Sequence, residues 1–165
     1  MKQCLLDDTD NDNFSFEEHE YRVRLRARAL IDLEQYEKAL AYLKDDATED
    51  GETIRREALF KAEKWSEYID HIQDDFESII EKVDTDDAAA QNILRTAISY
   101  YKLSLNSELG NLSLSVGNKN QNLKNIIDLL NTSSGKVDYK NLDSSLNIDQ
   151  MKTLLDKYKN QFLDK

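Results

Sequence analysis

None of the 165 residues is proline and only four are glycine. Turns of all-β folds draw on those two residue types, whereas helices need neither, and a proline in a helix interior costs about 3 kcal/mol. Helix is therefore the expectation throughout, and the fold class is all-α. Hydrophobic residues make up 39% and charged residues 33%. That balance is poor in apolar side chains for a compact globule but ordinary for an array of helices with much exposed surface.

Apolar spacing places the helices. Residues 1–14 contain the run DDTDNDN, too polar to pack, and read as an acidic tail. Ser15 followed by Glu18 has the form of a capping box, with Phe14 as a hydrophobic staple, so the first helix should start there. Its apolar stripe is Tyr21, Leu25, Ala29 and Leu33, with Val23, Ala27 and Leu30 on a neighbouring face. Two apolar faces imply a helix packed between others. Glu18–Arg22, Glu20–Arg24 and Arg28–Asp32 are opposite charges at i,i+4 spacing, each worth about 0.3–0.5 kcal/mol.

A short second helix over 35–43 should bury Tyr36, Ala39, Leu40 and Leu43, and a third should bury Ile54, Ala58, Leu59 and Ala62. The longest stripe, Trp65, Tyr68, Ile69, Ile72, Phe76, Ile79, Ile80 and Val83, predicts one fourth helix. After VDTDD, with Asp86 or Asp87 as cap, a fifth should bury Ile93, Leu94, Ala97, Ile98 and Tyr101. Across 101–116, Leu103, Leu105, Leu112, Leu114 and Val116 alternate with polar residues on either side of NSELGN, so a hairpin competes with helix there. Leu123, Ile126, Ile127 and Leu130 mark a further helix, and Met151, Leu154, Leu155, Tyr158 and Phe162 a terminal one.

Two segments rhyme: ALIDLEQYEKALAYL at 29–43 and EALFKAEKWSEYIDHI at 57–72. In each, a helix ends, polar residues bend the chain and an aromatic ring opens the next helix. This resembles the tetratricopeptide repeat, whose bend shows Gly-Asp-Tyr-x-x-Ala. The matching residues are Glu34, Gln35, Tyr36 and Ala39, then Glu63, Lys64 and Trp65. Both units have glutamate for the bend glycine, Tyr68 stands where Ala39 does, and the rings are about 29 residues apart rather than about 34. The stretch from about Tyr21 to Leu105 also resembles terminal regions of large bacterial proteins of this kind. The resemblance implies antiparallel helix pairs over 15–105, stacked as a short superhelix, with 106–165 as helical cap. About three repeats are needed to bury a continuous core, so the C-terminal helices would complete it or the chain would dimerise.

In the family it resembles, the first helix of each pair lines a groove for extended peptides. Carried over, the groove positions are Arg24, Arg28 and Asp32, then Thr53, Glu57, Phe60 and Lys61. Arg24 and Arg28 lie one turn apart and could converge on a carboxylate. Alternatively, RVRLRAR is a solvated face paired with Glu18, Glu20 and Asp32.

Residues 7–18 are similar to a calcium-binding EF-hand loop, with Asp7, Thr9, Asn11, Ser15 and Glu18 as ligands, but Asp12 replaces the required glycine. His19 and His71 have no second histidine or cysteine at metal-ligand spacing. His71 falls off the apolar stripe and should be exposed. Cys4 has no cationic cluster beside it in sequence to lower its pKa. No phosphate loop or nucleophile elbow is recognisable, so neither enzyme nor cofactor is expected.

A net charge of -11 argues against nucleic acid or an anionic membrane as partner. One cysteine, no signal-peptide pattern and no apolar run near the length of a membrane span make the chain expected to be cytoplasmic. The function expected is a non-catalytic scaffold holding a protein or peptide. The alternatives are a secretion-type chaperone or effector, a calcium-responsive helical module, and a terminal fragment of a larger repeat protein.

Overall fold

The computed structural model describes residues 16–132, and every regular element among them is helical. The acidic tail, the capping-box serine, ligands Asp7 to Ser15 of the calcium reading, and the terminal helix of Met151 to Phe162 lie outside the described residues. Two compact units divide the chain between Lys64 and Trp65, inside the span expected to hold the repeats.

The first unit contains α1 (Phe16–Asp32), α2 (Tyr36–Tyr42) and α3 (Glu49–Lys61), each packed on the other two. Ala27, Leu30 and Ile31 of α1 meet Ala39 and Leu43, and Ile54 and Ala58 of α3, in one core, with Tyr36 and Leu40 half-buried against it. Alanine at 27, 39 and 58, each fully buried, lets the three backbones approach closely. α3 starts where Thr48 caps it, the hydroxyl accepting from the Gly51 N–H at 3.1 Å.

The expected burial of the Tyr21–Leu25–Ala29–Leu33 stripe is corrected. Tyr21, Leu25 and Leu33 are 59%, 48% and 53% exposed, and only the face carrying Ala27, Leu30 and Ile31 turns inward. α2 and α3 both lie against that one face, which leaves the opposite face to solvent. Ala62, expected in the core, is half-buried because it already belongs to the end of α3.

In the second unit, α6 (Asp87–Lys102) is the central rod. α4 (Trp65–Ile72), α5 (Phe76–Lys82), α7 (Asn106–Val116) and α8 (Gln121–Thr132) all pack on it, and α7 packs on α8. Its residues Ile93, Leu94, Ala97 and Ile98 are fully buried, as the spacing required, while Tyr101 is half-buried. Asp86 caps α6, accepting from the Ala88 N–H at 2.9 Å. Asn120 ties two elements together: its Nδ2 donates to the Val83 carbonyl after α5 at 3.1 Å, while its Oδ1 accepts from Leu123 N–H in α8 at 3.0 Å.

The single helix expected over Trp65–Val83 is broken into α4 and α5 by a 3-10 turn at Gln73–Asp75. Gln73, Asp74 and Asp75 are all exposed, so nothing apolar holds that turn in α geometry. The tighter 3.0-residue turn rotates the two halves of the stripe, and Tyr68, Ile72, Ile79 and Val83 are its buried members. The hairpin considered at 101–116 is also corrected. Those residues end α6 and form α7, and the serines of the alternation fall on helical faces, with Leu112 and Val116 buried and Leu114 74% exposed.

Among the described residues one bend occurs three times. Glu34, Glu63 and Ser104, following α1, α3 and α6, have φ of 58°, 58° and 59°. In each bend the left-handed residue donates its N–H to a carbonyl three positions back, Ile31, Phe60 or Tyr101, at 3.0, 3.0 and 3.1 Å. The next residue donates to the carbonyl five positions back, Leu30, Leu59 or Tyr100, at 2.8, 3.0 and 2.9 Å. This double closure satisfies carbonyls that a helix end leaves open.

Candidate functional site

The groove positions on α1 and α3 belong to the first unit, where these helices pack on each other. They do not share one fate. Arg28 and Asp32 on α1, and Thr53 and Lys61 on α3, are exposed. Glu57 is half-buried and ion-pairs with Lys61 at 2.6 Å, one turn along the helix. The Thr53 hydroxyl donates back to the Glu49 carbonyl at 2.9 Å. Phe60 is only 4% exposed and serves the core, so its ring is withheld from a partner.

Arg24 is also taken up by the fold. Its Nη1 donates to the Asp46 carboxylate at 3.3 Å and to the Thr48 hydroxyl at 3.0 Å, and lies 3.8 Å from Glu20. The Asp46 side chain is almost wholly buried and accepts from both the backbone N–H and the hydroxyl of Thr48. Burial alone raises the Asp46 carboxyl, but the Thr48 hydrogen bonds and the Arg24 guanidinium outweigh it and hold the group below the usual carboxylate range. Gly51 closes the cluster, since a Cβ there would sit 2.4 Å from Asp46 Cγ. Arg55 extends it, donating to the carbonyls of Leu43 and Asp46 and pairing with Glu52. Carbonyls left open after α2 thereby gain a cation at the helix's negative end.

Sequence reasoning paired Arg24 with Glu20 but missed Asp46, Thr48 and Arg55. The available signal was the run Asp46-Ala47-Thr48 before an acidic first turn, which has the character of a helix start. Its reach to Arg24, 22 positions earlier, appears only once α1 and α3 lie side by side.

The repeat positions fall as follows. Ala39 is fully buried, Tyr36 is half-buried on the first core, and Trp65 is half-buried. Tyr68 is fully buried, its hydroxyl donating to the Asn92 carbonyl at 3.1 Å. His71, expected in solvent, is half-buried because α4 ends one residue later and packs on α6. Ser113 on α7 donates to Asp128 on α8, which Lys124 also holds, so these three join two helices. Among the described residues no group of three or more His, Cys, Asp or Glu side chains is placed to hold a metal ion. No helix among them is long and apolar enough to cross a membrane.

The described residues are thus all-helical in their regular structure, with one bend used three times among them, and the first unit displays Arg28, Asp32, Thr53 and Lys61 on two adjacent helices. Comparison with protein-family models, with curated proteins and with solved structures returns no match.

Proposed function

We propose that the chain is a non-catalytic scaffold of the tetratricopeptide-like type that holds a polypeptide segment across the outward faces of α1 and α3. The observation that carries this reading is the bend that recurs at Glu34, Glu63 and Ser104 with matching torsions and hydrogen bonds. Two of the three are followed by the rings, Tyr36 and Trp65, on which the family resemblance rests. The contact surface is Arg28 and Asp32 on α1 with Thr53, Glu57 and Lys61 on α3. Arg28 and Lys61 supply donors for a partner's carboxylates, and Asp32 and Glu57 accept from its amides or cations. Preformed helices order this surface in advance, so binding loses little conformational entropy, and the charges set rate and orientation.

The test is selection of peptides from a random library on the full-length chain, with affinities then measured by fluorescence anisotropy. Arg28→Glu with Lys61→Glu should weaken the selected peptides about tenfold or more, since each lost charged contact is worth about 1–2 kcal/mol, with the helical spectrum unchanged. Equal affinity for the double variant, or no peptide recovered, would overturn the reading. Arg24 is left out of that variant because its removal would disturb the Asp46 cluster.

A further inference from the structure

The charges on the proposed contact surface fall into rungs. α2 runs against α3: Glu37 near the start of α2 pairs at 3.0 Å with Lys64, just past the end of α3, while Arg55 in mid-helix reaches the carbonyls of Leu43 and Asp46 after α2. The tight bend at Glu34 turns α2 back along α1, so α1 and α3 run the same way. Arg24 bonded to Thr48 sets their register, with the start of α3 beside the middle of α1. Arg28 and Asp32 follow Arg24 at four-residue steps and stay on the flank of α1 that faces α3. Arg55 faces α2, and Thr53, Glu57 and Lys61 lie about 120° to 160° around α3 from it, on the side toward α1. Arg28 thus stands across from Thr53, and Asp32, one turn on, across from Glu57. Lys61 lies a further turn along, past the end of α1 at Asp32.

We propose that the occupant of this surface is an extended segment carrying acidic, basic and acidic side chains on alternate residues, an inference that rests on the peptide-binding reading. Rungs four residues apart are about 6 Å apart along a helix, and same-side residues of an extended chain recur every ~6.6 Å, nearly the same pitch. The first acid takes the Arg28 guanidinium, the base lies between Asp32 and Glu57, and the second acid takes Lys61. Glu57 and Lys61 hold each other at 2.6 Å, so the last two rungs are ordered before binding. An acid on the second rung would meet two carboxylates, and like charges in contact reject a partner. The order reads the same from either end, so it does not depend on which way the segment runs. A docked helix would need an apolar stripe to bury, and these positions offer none, because Phe60 faces the core.

The test is fluorescence anisotropy of labelled peptides on the full-length chain, with the charges set in a serine and glutamine background. Glu-x-Lys-x-Glu should bind about tenfold or more tightly than Glu-x-Glu-x-Lys, which has the same composition, because misplaced charges lose their ionic contacts and meet like charges. Asp32→Arg should weaken the first peptide about tenfold and shift the preference to Glu-x-Glu-x-Glu; Asp32 is exposed, so the fold tolerates the change. Equal affinity for the two orders, or an unchanged preference in the variant, overturns the inference. The peptide-binding reading still stands in that case if library-selected peptides lose affinity on Arg28→Glu with Lys61→Glu. Tighter binding when the three charges are spaced four residues apart overturns the inference in favour of a helical occupant. No binding by any of these peptides overturns it as well, and the library selection then decides separately whether the chain holds peptides at all.

Discussion

Arg24 on α1 and Asp46, which follows α2, meet at 3.3 Å across 22 positions of sequence, with Thr48 bonded to both. The pair therefore fastens the first helix of the unit to the start of the third. Removing one partner strands the other in a nearly dry site. Arg24→Ala and Asp46→Ala should each destabilise the chain by about 2–4 kcal/mol. Urea unfolding of both singles and the double should give a coupling of at least about 0.5 kcal/mol. Additive effects would mean that Arg24 is held by Glu20 and Thr48 rather than by Asp46.

The same carboxylate sets a pH dependence. Its folded pKa lies below the unfolded value, so the unfolded chain takes up the proton first as pH falls. The stabilisation is complete above the ordinary carboxylate range and is lost as pH drops through the lowered folded value. Asp128, lowered by Lys124 and Ser113 against its own desolvation, acts with the same sign in the second unit. Unfolding free energy should thus fall between about pH 5 and pH 2, and Asp46→Asn should flatten part of that slope. An unchanged slope in the variant would remove Asp46 from the account.

Gly51 tests the packing of this cluster from the other side. Glycine in a helix normally gives way to alanine with a gain of about 1 kcal/mol. Here the new Cβ would fall 2.4 Å from Asp46 Cγ, and that carboxylate is pinned by Thr48 and Arg24. Gly51→Ala should lower the melting temperature, and in an Asp46→Ala background it should raise it instead. A gain in both backgrounds would show that Asp46 can move aside freely.

The three bends make a separate prediction. An ordinary residue in the left-handed region costs about 1–2 kcal/mol, partly offset by the entropy that glycine loses on folding. Glu34→Gly, Glu63→Gly and Ser104→Gly should each stabilise the chain by about 0.5–1 kcal/mol, whereas Glu34→Val should destabilise it. Denaturation midpoints decide the matter. A loss on all three glycine substitutions would imply that these side chains make contacts worth more than the strain.

Helical class and most buried positions were legible because they depend on local spacing. Ile93, Leu94, Ala97 and Ile98 repeat as a helix face must, and all are fully buried. The bends at Glu34 and Glu63 were legible through the rings that follow them. The same bend at Ser104 was missed, because a serine followed by Leu105 offers neither a glycine nor a ring as a signal. The candidate surface was legible only in part. Arg24 and Arg28 look alike in RVRLRAR, yet one is locked to Asp46 and the other is exposed.

What the amino-acid order determined by itself is where helices form and which side chains are apolar, since both follow from contacts within four residues along the chain. Which of the two apolar faces of α1 is buried, that Phe60 belongs to the core, and that the Trp65–Val83 stripe is cut at Gln73 were decided by the tertiary structure. Those outcomes depend on neighbours distant in sequence: a helix can present two apolar faces, but only packing selects the one that loses its water.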